Sequence, residues 1–366
     1  MTQRVYLIGA GIIADCHAGG VHRLPGGAEL HVADPNPEAL RTFKQHYPEA
    51  RLYASSEEML ATPAQEQDIA INCTPPWLHH PETLRALRAG RHVLCEKPFA
   101  LNRAEAEEMV AVAEECGLEI GCCSHRHASW ELHRKACDLV AADALGRIFR
   151  VEWIHRDSRL RRGIEGRSRG IWWSVEKAKA GGGRLMDMGP YDVAVWMELF
   201  RPVSVRVSNV LAEQLHIGAD LPEGVVPDVE VHLSATLQLE QANGNRIQIA
   251  YERTSASHGP EYHHEGVYGL DAYMTWNSLG HGTPEMQIRR SGPLGEVEEE
   301  IIQAEPPYPD WHCQEPLLDF ARHVAGEPEN HALTGQDALR NFSVLMAMYE
   351  SAERGEAVTL RFNQGV

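Results

Sequence analysis

At 366 residues, 43% apolar and 23% charged, the chain has room for two domains of ordinary globular composition. A formal charge of −18 with no offsetting basic stripe argues against nucleic acid and anionic membrane as partners, and no run of about 18 apolar residues offers a membrane span. The eight cysteines form no CxxC or CxxH pair and sit mostly in apolar runs, so we expect buried reduced thiols, no structural disulfide and a cytoplasmic location. The opening residues enter a strand and a glycine turn directly and do not read as an export signal.

Strand–helix alternation occupies residues 1–123. A short apolar strand over 4–8 leads to Gly9-Ala10-Gly11-Ile12-Ile13-Ala14 and a helix to about 23, and a second strand over 30–33 ends at Asp34. Helices are predicted over 37–46, 56–61 and 81–89, and strands over 51–53, 68–73 and 92–95. Asn102 with Glu105 forms a capping-box start for a helix through Cys116, closed by Gly117 before a sixth strand over 118–123. This βαβ series predicts a doubly wound parallel sheet, a Rossmann domain.

From 124 to 366 the pattern predicts a second α/β domain with an open, mostly antiparallel sheet covered on one face by helices. Its strands are expected over 148–154, 203–210, 229–239, 246–253 and 267–275, with an Asn243-Gly244 hairpin turn. Its helices are expected over 128–141, 187–200, 313–324 and 334–353. Residues 156–179 are too basic and irregular to assign, and the acidic run 296–300 reads as a solvated loop or edge.

Gly9-x-Gly11-x-x-Ala14 between a strand and a helix is a dinucleotide fingerprint. Gly9 permits the tight turn, Gly11 admits the pyrophosphate, Ala14 lets helix and strand approach, and Ile12 and Ile13 begin the helix whose amino end faces the phosphates. Asp34 suits a ribose hydroxyl and repels a 2′-phosphate, which favours NAD over NADP. Thr74-Pro75-Pro76, His79 and Glu96-Lys97-Pro98 end strands on the carboxyl edge of the sheet, where such folds bind ligands. In Gly181–Tyr191, GGGRLMDMGPY, Asp187 and Tyr191 are four residues apart and share a helix face. With Lys97 they supply the groups needed to move a proton at a carbinol oxygen.

GAGIIA with Asp34, TPPWLHHPETLRALRAGRHVLCEKPFA, His125-Arg126-His127 and GGGRLMDMGPYDVAVWM together resemble the glucose-fructose oxidoreductase / inositol dehydrogenase / rhizopine catabolism (Gfo/Idh/MocA) superfamily. The resemblance implies a Rossmann domain followed by an open-sheet α/β domain that contacts substrate and often supplies a dimerisation surface, here a homodimer or homotetramer through that sheet. It implies Lys97 at the nicotinamide–substrate junction, Asp187 as substrate anchor and Tyr191 where a catalytic histidine is usual. It also implies Arg126 near the cofactor, with Trp172 or Trp173 touching nicotinamide or substrate. Pro76 replaces a common asparagine.

The expected reaction is hydride transfer at a secondary alcohol of a sugar, sugar derivative or cyclitol, with Tyr191 taking the hydroxyl proton. A tyrosine pKa near 10 is too high for this at neutral pH, and Lys97 within about 4–6 Å would lower it. Asp187 then positions a substrate hydroxyl or orients Lys97. An NAD-dependent glycosidase with no net redox change could use the same groups, and an NAD-responsive regulator is the non-catalytic alternative. The arginines at 156, 159, 161, 162, 167 and 169 either clamp an anionic substrate group or pair with local acids or a second subunit. His258, Glu261, His263, His264 and Glu265 have poor spacing for a metal in what reads as a loop, so no metal is expected.

Overall fold

Short, mostly buried strands alternating with helices build the first part of the chain. The structure, a computed structural model, describes residues 3–158, 169–214, 223–255, 257–278, 284–305 and 311–362, with backbone alone at 169, 170, 311 and 312. Two units divide it: Met1–Arg126 with Tyr308–Phe342, and His127–Pro307 with Ser343–Val366. The first crossing falls three residues beyond the boundary at 123. A linear division into 1–123 and 124–366 did not provide for the return of residues 308–342 to the first unit.

The first unit runs β1 (Gln3–Ile8), α1 (Ile12–Val21), β2 (Ala28–Ala33), α2 (Pro37–His46), β3 (Arg51–Tyr53), α3 (Ser56–Leu60), β4 (Ile69–Asn72), α4 (His79–Arg88), β5 (His92–Cys95), α5 (Arg103–Cys116) and β6 (Ile120–Cys122). Every neighbouring pair in its sheet is parallel, in the order β3-β2-β1-β4-β5-β6. The order reverses beside β1, and that switch point is where open α/β sheets bind ligands. Asn102 caps α5 as its sequence predicts, accepting from the Glu105 amide at 3.0 Å, while Glu105 reaches past the cap to the Leu101 amide at 3.0 Å. Gly117 closes the helix at φ 65°.

The second unit holds α6 (Glu131–Ala141), β7 (Ile148–Arg156), α7 (Lys177–Ala180), α8 (Arg184–Phe200), β8 (Ser204–Glu213), β9 (His232–Glu240), β10 (Arg246–Thr254), β11 (Tyr262–Gly269), β12 (Ala272–Trp276), β13 (Glu285–Ser291) and β14 (Val297–Gln303). The chain then forms α9 (Trp311–Val324), α10 (Gly335–Arg354) and β15 (Val358–Arg361). Nine strands lie in the order β14-β13-β12-β11-β7-β10-β9-β8-β15, antiparallel except for β7 beside β10. Alternation along β9 and β10 buries Leu233, Leu237, Ile247 and Ile249 on one face, and α8 packs against these strands. The Asn243-Gly244 turn joins them, with Gly244 at φ 82°.

Three expectations are corrected. The strand expected over 267–275 is two strands, β11 and β12, separated by a turn after a bulge at Tyr268/Gly269. Because β11 begins at Tyr262, His263 and His264 lie in a strand and not in a loop. Cys16 of α1 and Cys313 of α9 form a disulfide with Cα atoms 5.8 Å apart, contrary to the expectation of none. Their 297-residue separation left no local spacing to reveal the pair. The disulfide lies beside a core that joins Val5, Leu7, Ile69 and Ile71 to Leu317 and Phe320 of α9. Each such side chain contributes roughly 1.5–3 kcal/mol by burial. No described helix is long and apolar enough to cross a membrane.

Candidate functional site

In the first unit the groups gather at the carboxyl ends of β1, β2, β4 and β5. Gly9 takes φ +102°, and a Cβ there would stand 3.2 Å from the Cys73 carbonyl oxygen, so glycine satisfies both the turn and the close approach. Gly11 is the N-cap of α1; no side chain caps that helix, and a Cβ on Gly11 would meet nothing within 4 Å. The amino end of α1 is thus open around Gly11, with the positive end of the helix dipole behind it. Ala14 is fully buried against the sheet, Ile13 is half-buried and Ile12 is exposed. Asp34 follows β2; its Oδ2 accepts from the Ala10 amide at 2.9 Å and its Oδ1 from the Asn36 amide at 2.7 Å. Amide donors at an open helix start and a carboxylate beside them are the groups a dinucleotide's pyrophosphate and ribose require, so the residues present fit that cofactor.

Two loops on the same edge are tied together from beneath. Buried Asn72 donates to the His79 carbonyl at 2.9 Å and to Thr83 Oγ1 at 3.1 Å, and accepts from Thr74 Oγ1 at 2.6 Å. His79 is buried, with Nδ1 2.6 Å from the Pro98 carbonyl and Nε2 2.8 Å from the Thr74 carbonyl, bridging the Thr74-Pro75 loop to the Glu-Lys-Pro turn. Burial lowers its pKa against those two contacts, which favour the charged ring. Glu96 is buried and accepts from His17 Nε2 at 2.9 Å, from the Lys97 amide at 3.0 Å and from Arg126 Nη2 at 3.4 Å. Burial favours the neutral acid, but Arg126, His17 and Lys97 outweigh it and hold the carboxyl well below the usual carboxylate range. The Lys97 backbone is thereby held by the Glu96 carboxylate, and the Lys97-Pro98 bond is cis. His17, Glu96 and Cys123 have ligand atoms within 4.8 Å of one another. Burial pushes the Cys123 thiol pKa well up.

In the second unit the glycine run shapes the start of α8. Gly181 adopts φ +79°, a Cβ on Gly182 would overlap the Tyr349 hydroxyl, and one on Gly183 would overlap the Glu230 carbonyl oxygen. These near neighbours cap the helix. The Glu230 carboxylate accepts from the Gly183 amide at 2.8 Å and the Leu185 amide at 3.0 Å, and its carbonyl from the Arg184 amide at 3.1 Å. Tyr349 Oη accepts from the Met186 amide at 3.1 Å and donates to Glu230 at 2.9 Å. The amides that an α-helix leaves orphaned are all satisfied here. Burial raises the Glu230 pKa, opposed by the Gly183 amide and the Tyr349 hydroxyl.

Asp187 and Tyr191 follow one turn apart on this helix. Tyr191 is buried, its ring edge-on to His127 with centroids 6.4 Å apart. Arg184 Nη1 stands 3.6 Å from Asp187 Oδ2. Asp192, the next residue after Tyr191, is a buried hub. It accepts at 2.8 Å from Trp153 Nε1, Tyr251 Oη and Arg253 Nε, and pairs a second time with Arg253 Nη2. These bonds fix the rotation of α8 on β7 and β10, and with it the directions of Asp187 and Tyr191.

The remaining predicted groups are placed as follows. Trp172 packs half-buried against Val175 and Val229. Arg156 is closed by a bidentate pair with Glu252 at 2.7 Å, while 159, 161, 162 and 167 and the side chain of 169 lie outside the described residues. His263 pairs with Asp157 at 2.8 Å, and His264 lies 3.4 Å from Tyr268 Oη. Glu261 accepts from Ser158 Oγ at 2.9 Å and Glu265 from the Ser278 amide at 2.6 Å. His17, Asn72, Arg184, Asp192, Glu230 and Tyr349 were missed. Asn72 and Asp192 stand as lone polar residues in apolar runs, a signal that was there to be read; Glu230 and Tyr349 reach α8 from distant segments and leave no local one.

Comparison with known proteins follows the two units. Residues 3–122 match the family described as "Oxidoreductase family, NAD-binding Rossmann fold", and residues 133–269 match the "GFO/IDH/MocA C-terminal domain". A 1,5-anhydro-D-fructose reductase of Ensifer adhaerens is 33% identical over 186 residues, 51% of this chain and 53% of the relative. A D-glucoside 3-dehydrogenase of Escherichia coli (strain K12) is 30% identical over 190 residues, 51% of this chain and 50% of the relative. The chain thus spans about half the length of these curated relatives. A levoglucosan dehydrogenase solved with NADH and levoglucosan shares the fold at a TM-score of 0.78 and 19% identity, covering 98% of this chain and 99% of the other. The chain belongs to the Gfo/Idh/MocA family of oxidoreductases, with an NAD-binding Rossmann domain.

Proposed function

We propose that the protein oxidises a secondary alcohol of a sugar, sugar derivative or cyclitol with NAD, or reduces the corresponding ketone. The observation that carries this reading is α8, which presents Asp187 and Tyr191 one turn apart behind a start closed by Glu230 and Tyr349. The names of the curated relatives, a reductase and a dehydrogenase of sugar derivatives, support the substrate class. In this reading Gly9, Gly11, Ala14 and Asp34 hold the dinucleotide, with Thr74, Pro75, His79 and Arg126 shaping the loops around it. NAD supplies, when bound, acceptance or return of a hydride.

The chain's own residues handle the proton. Tyr191 takes it from the carbinol hydroxyl during oxidation and returns it during reduction. Lys97, its backbone held by Glu96, supplies the positive charge that favours the phenolate and the forming alkoxide. Asp187 accepts from a neighbouring substrate hydroxyl and sets the carbinol's orientation. Asp34 favours NAD, because its carboxylate would repel a 2′-phosphate. The test is a screen of neutral sugars, glycosides and cyclitols with NAD and NADP, following absorbance at 340 nm and leaving-group release together. Tyr191→Phe should slow turnover by about two to four orders of magnitude. Undiminished turnover in that variant removes Tyr191 from the mechanism, and glycoside cleavage without net reduction of NAD replaces the dehydrogenase reading.

A further inference from the structure

One face of the nine-stranded sheet carries a cavity of about 230 Å³ that spans β15, β8, β9 and β10. Alternation along these strands turns Val205, Leu237 and Ile247 to the buried face, where α8 packs, and turns their sequence neighbours to the opposite face. The register sets those neighbours in two rows. One row runs Arg361, Ser204, Glu240, Arg246, and the next runs Thr359, Arg206, Gln238. All of them line the cavity.

Three guanidiniums here meet one carboxylate. Arg246 Nε stands 3.9 Å from Glu240 Oε2, close enough for an ion pair but too far for a hydrogen bond. Arg206 and Arg361 are exposed and make no side-chain hydrogen bond or ion pair with any described residue. They are diagonal neighbours on adjacent antiparallel strands, with Cβ atoms roughly 7–8 Å apart, so their charges repel. Elsewhere on the same sheet arginines are answered by acids: Arg156 by Glu252, Arg150 by Glu152, Arg289 by Glu299 and Arg290 by Glu300. Acids are not scarce, since the chain has 52 of them against 34 lysines and arginines. Yet the cross-strand neighbours of Arg206 are Thr359 and Gln238, and that of Arg361 is Ser204. Each of these side chains can donate a hydrogen bond to an anion, and none supplies a counter-charge.

We propose that this cavity binds a small multivalent oxyanion, a compound carrying phosphate or carboxylate groups, with Arg206 and Arg361 as its principal contacts. Arginine's planar fork matches either group with paired N–H···O bonds, and the hydroxyls of Ser204 and Thr359 add neutral donors beside it. Glu240 offsets Arg246 and leaves the cavity positive toward the Arg206–Arg361 side. Sites for drug-sized ligands run about 300–1,000 Å³, so this smaller cavity suits a compact anion and not a second dinucleotide. The sheet separates it from α8, and the inference is independent of the proposed reaction.

The test is calorimetric titration of the full chain at low ionic strength, saturated with NAD so that the pyrophosphate site at the start of α1 is filled. The probes are inorganic pyrophosphate and citrate, with formate as the singly charged control. Pyrophosphate or citrate should bind once per chain and at least about tenfold more tightly than formate, and the tighter of the two names the chemical class. Arg206→Gln and Arg361→Gln should each weaken that binding by about tenfold or more, and Arg246→Gln by about threefold or less. Glu240→Gln should tighten it. Arg289→Gln, which removes an acid-paired arginine of the same sheet, should leave it unchanged and so separates a local site from diffuse charge. These side chains lie at the surface, and each variant should melt within about 2 °C of wild type. Absence of saturable binding by both multivalent probes, unchanged affinity in either Arg206→Gln or Arg361→Gln, or an equal loss in Arg289→Gln overturns the inference. Sedimentation of the same samples adds one more outcome. An oligomer that Arg206→Gln or Arg361→Gln dissociates, with neither probe bound by wild type, assigns these arginines to a second copy of the chain and also overturns it.

Discussion

The candidate groups of the two units begin at helix N-termini that the protein treats in opposite ways. The start of α8 is filled by its own groups: the Glu230 carboxylate, the Glu230 carbonyl and the Tyr349 hydroxyl take its first amides. The start of α1 has no side-chain cap and is open around Gly11. A closed end makes a rigid mount for side chains, whereas an open end keeps its dipole for a ligand. The same residue type serves both purposes: Gly183 is small because protein lies against it, and Gly11 is small because nothing does.

The largest test of this contrast removes the charge that locks α8 from behind. Arg253→Met strips Asp192 of its cation and should destabilise the second unit by about 3–5 kcal/mol, lowering the melting temperature by about 10 °C in calorimetry. Next is the glycine pair. Gly183→Ala should cost about 1–3 kcal/mol and most of the turnover, because the methyl overlaps the Glu230 carbonyl. Gly11→Ala should melt like wild type yet bind NAD at least about tenfold more weakly by fluorescence titration. If the two variants melt alike, the contrast is wrong. Asp34→Ala should weaken NAD by about 1.4 kcal/mol, roughly tenfold, with NADP less affected. An unchanged cofactor ratio would remove Asp34 from the argument.

The smallest expected effect is a pH dependence. The Asp157 carboxyl lies below its ordinary value of 3.8, at about 2, so its contribution to stability is present above about pH 4 and fades as pH falls toward 2. Glu230 is raised, so its contribution runs the other way and is lost as pH rises through its raised value. Urea melts of Asp157→Asn and wild type should differ most above pH 4 and converge near pH 2. Parallel curves would show that Asp157 does not titrate as described.

The open half was readable because its parts are neighbours in sequence. The β1–Gly9–Gly11–α1 run, Asp34 at the end of β2, the Asn102–Glu105 capping box and Gly117 are all local patterns, and the fold follows them. The closed half was readable only in its glycines and in Asp187 and Tyr191. What fixes them comes from Glu230 and Tyr349, far along the chain, and no periodicity marks a residue that acts at such a distance. The edge strands were hard for another reason. β14, Val297–Gln303, carries three glutamates in a row and is exposed along most of its length, so its composition is that of a charged sheet edge, which resembles solvated loop.

The return of α9 to the first unit governs the order in which the protein can be finished. Leu317, Leu318, Phe320 and Ala321 belong to the same apolar core as β1 and β4, and Cys313 is bonded to Cys16. During synthesis from the amino end, residues 1–126 emerge first, yet their core lacks these side chains until residues 317–321 have been made. A fragment ending at residue 126 should therefore expose the apolar surface that α9 covers, and grafting this domain elsewhere would require carrying 308–342 with it.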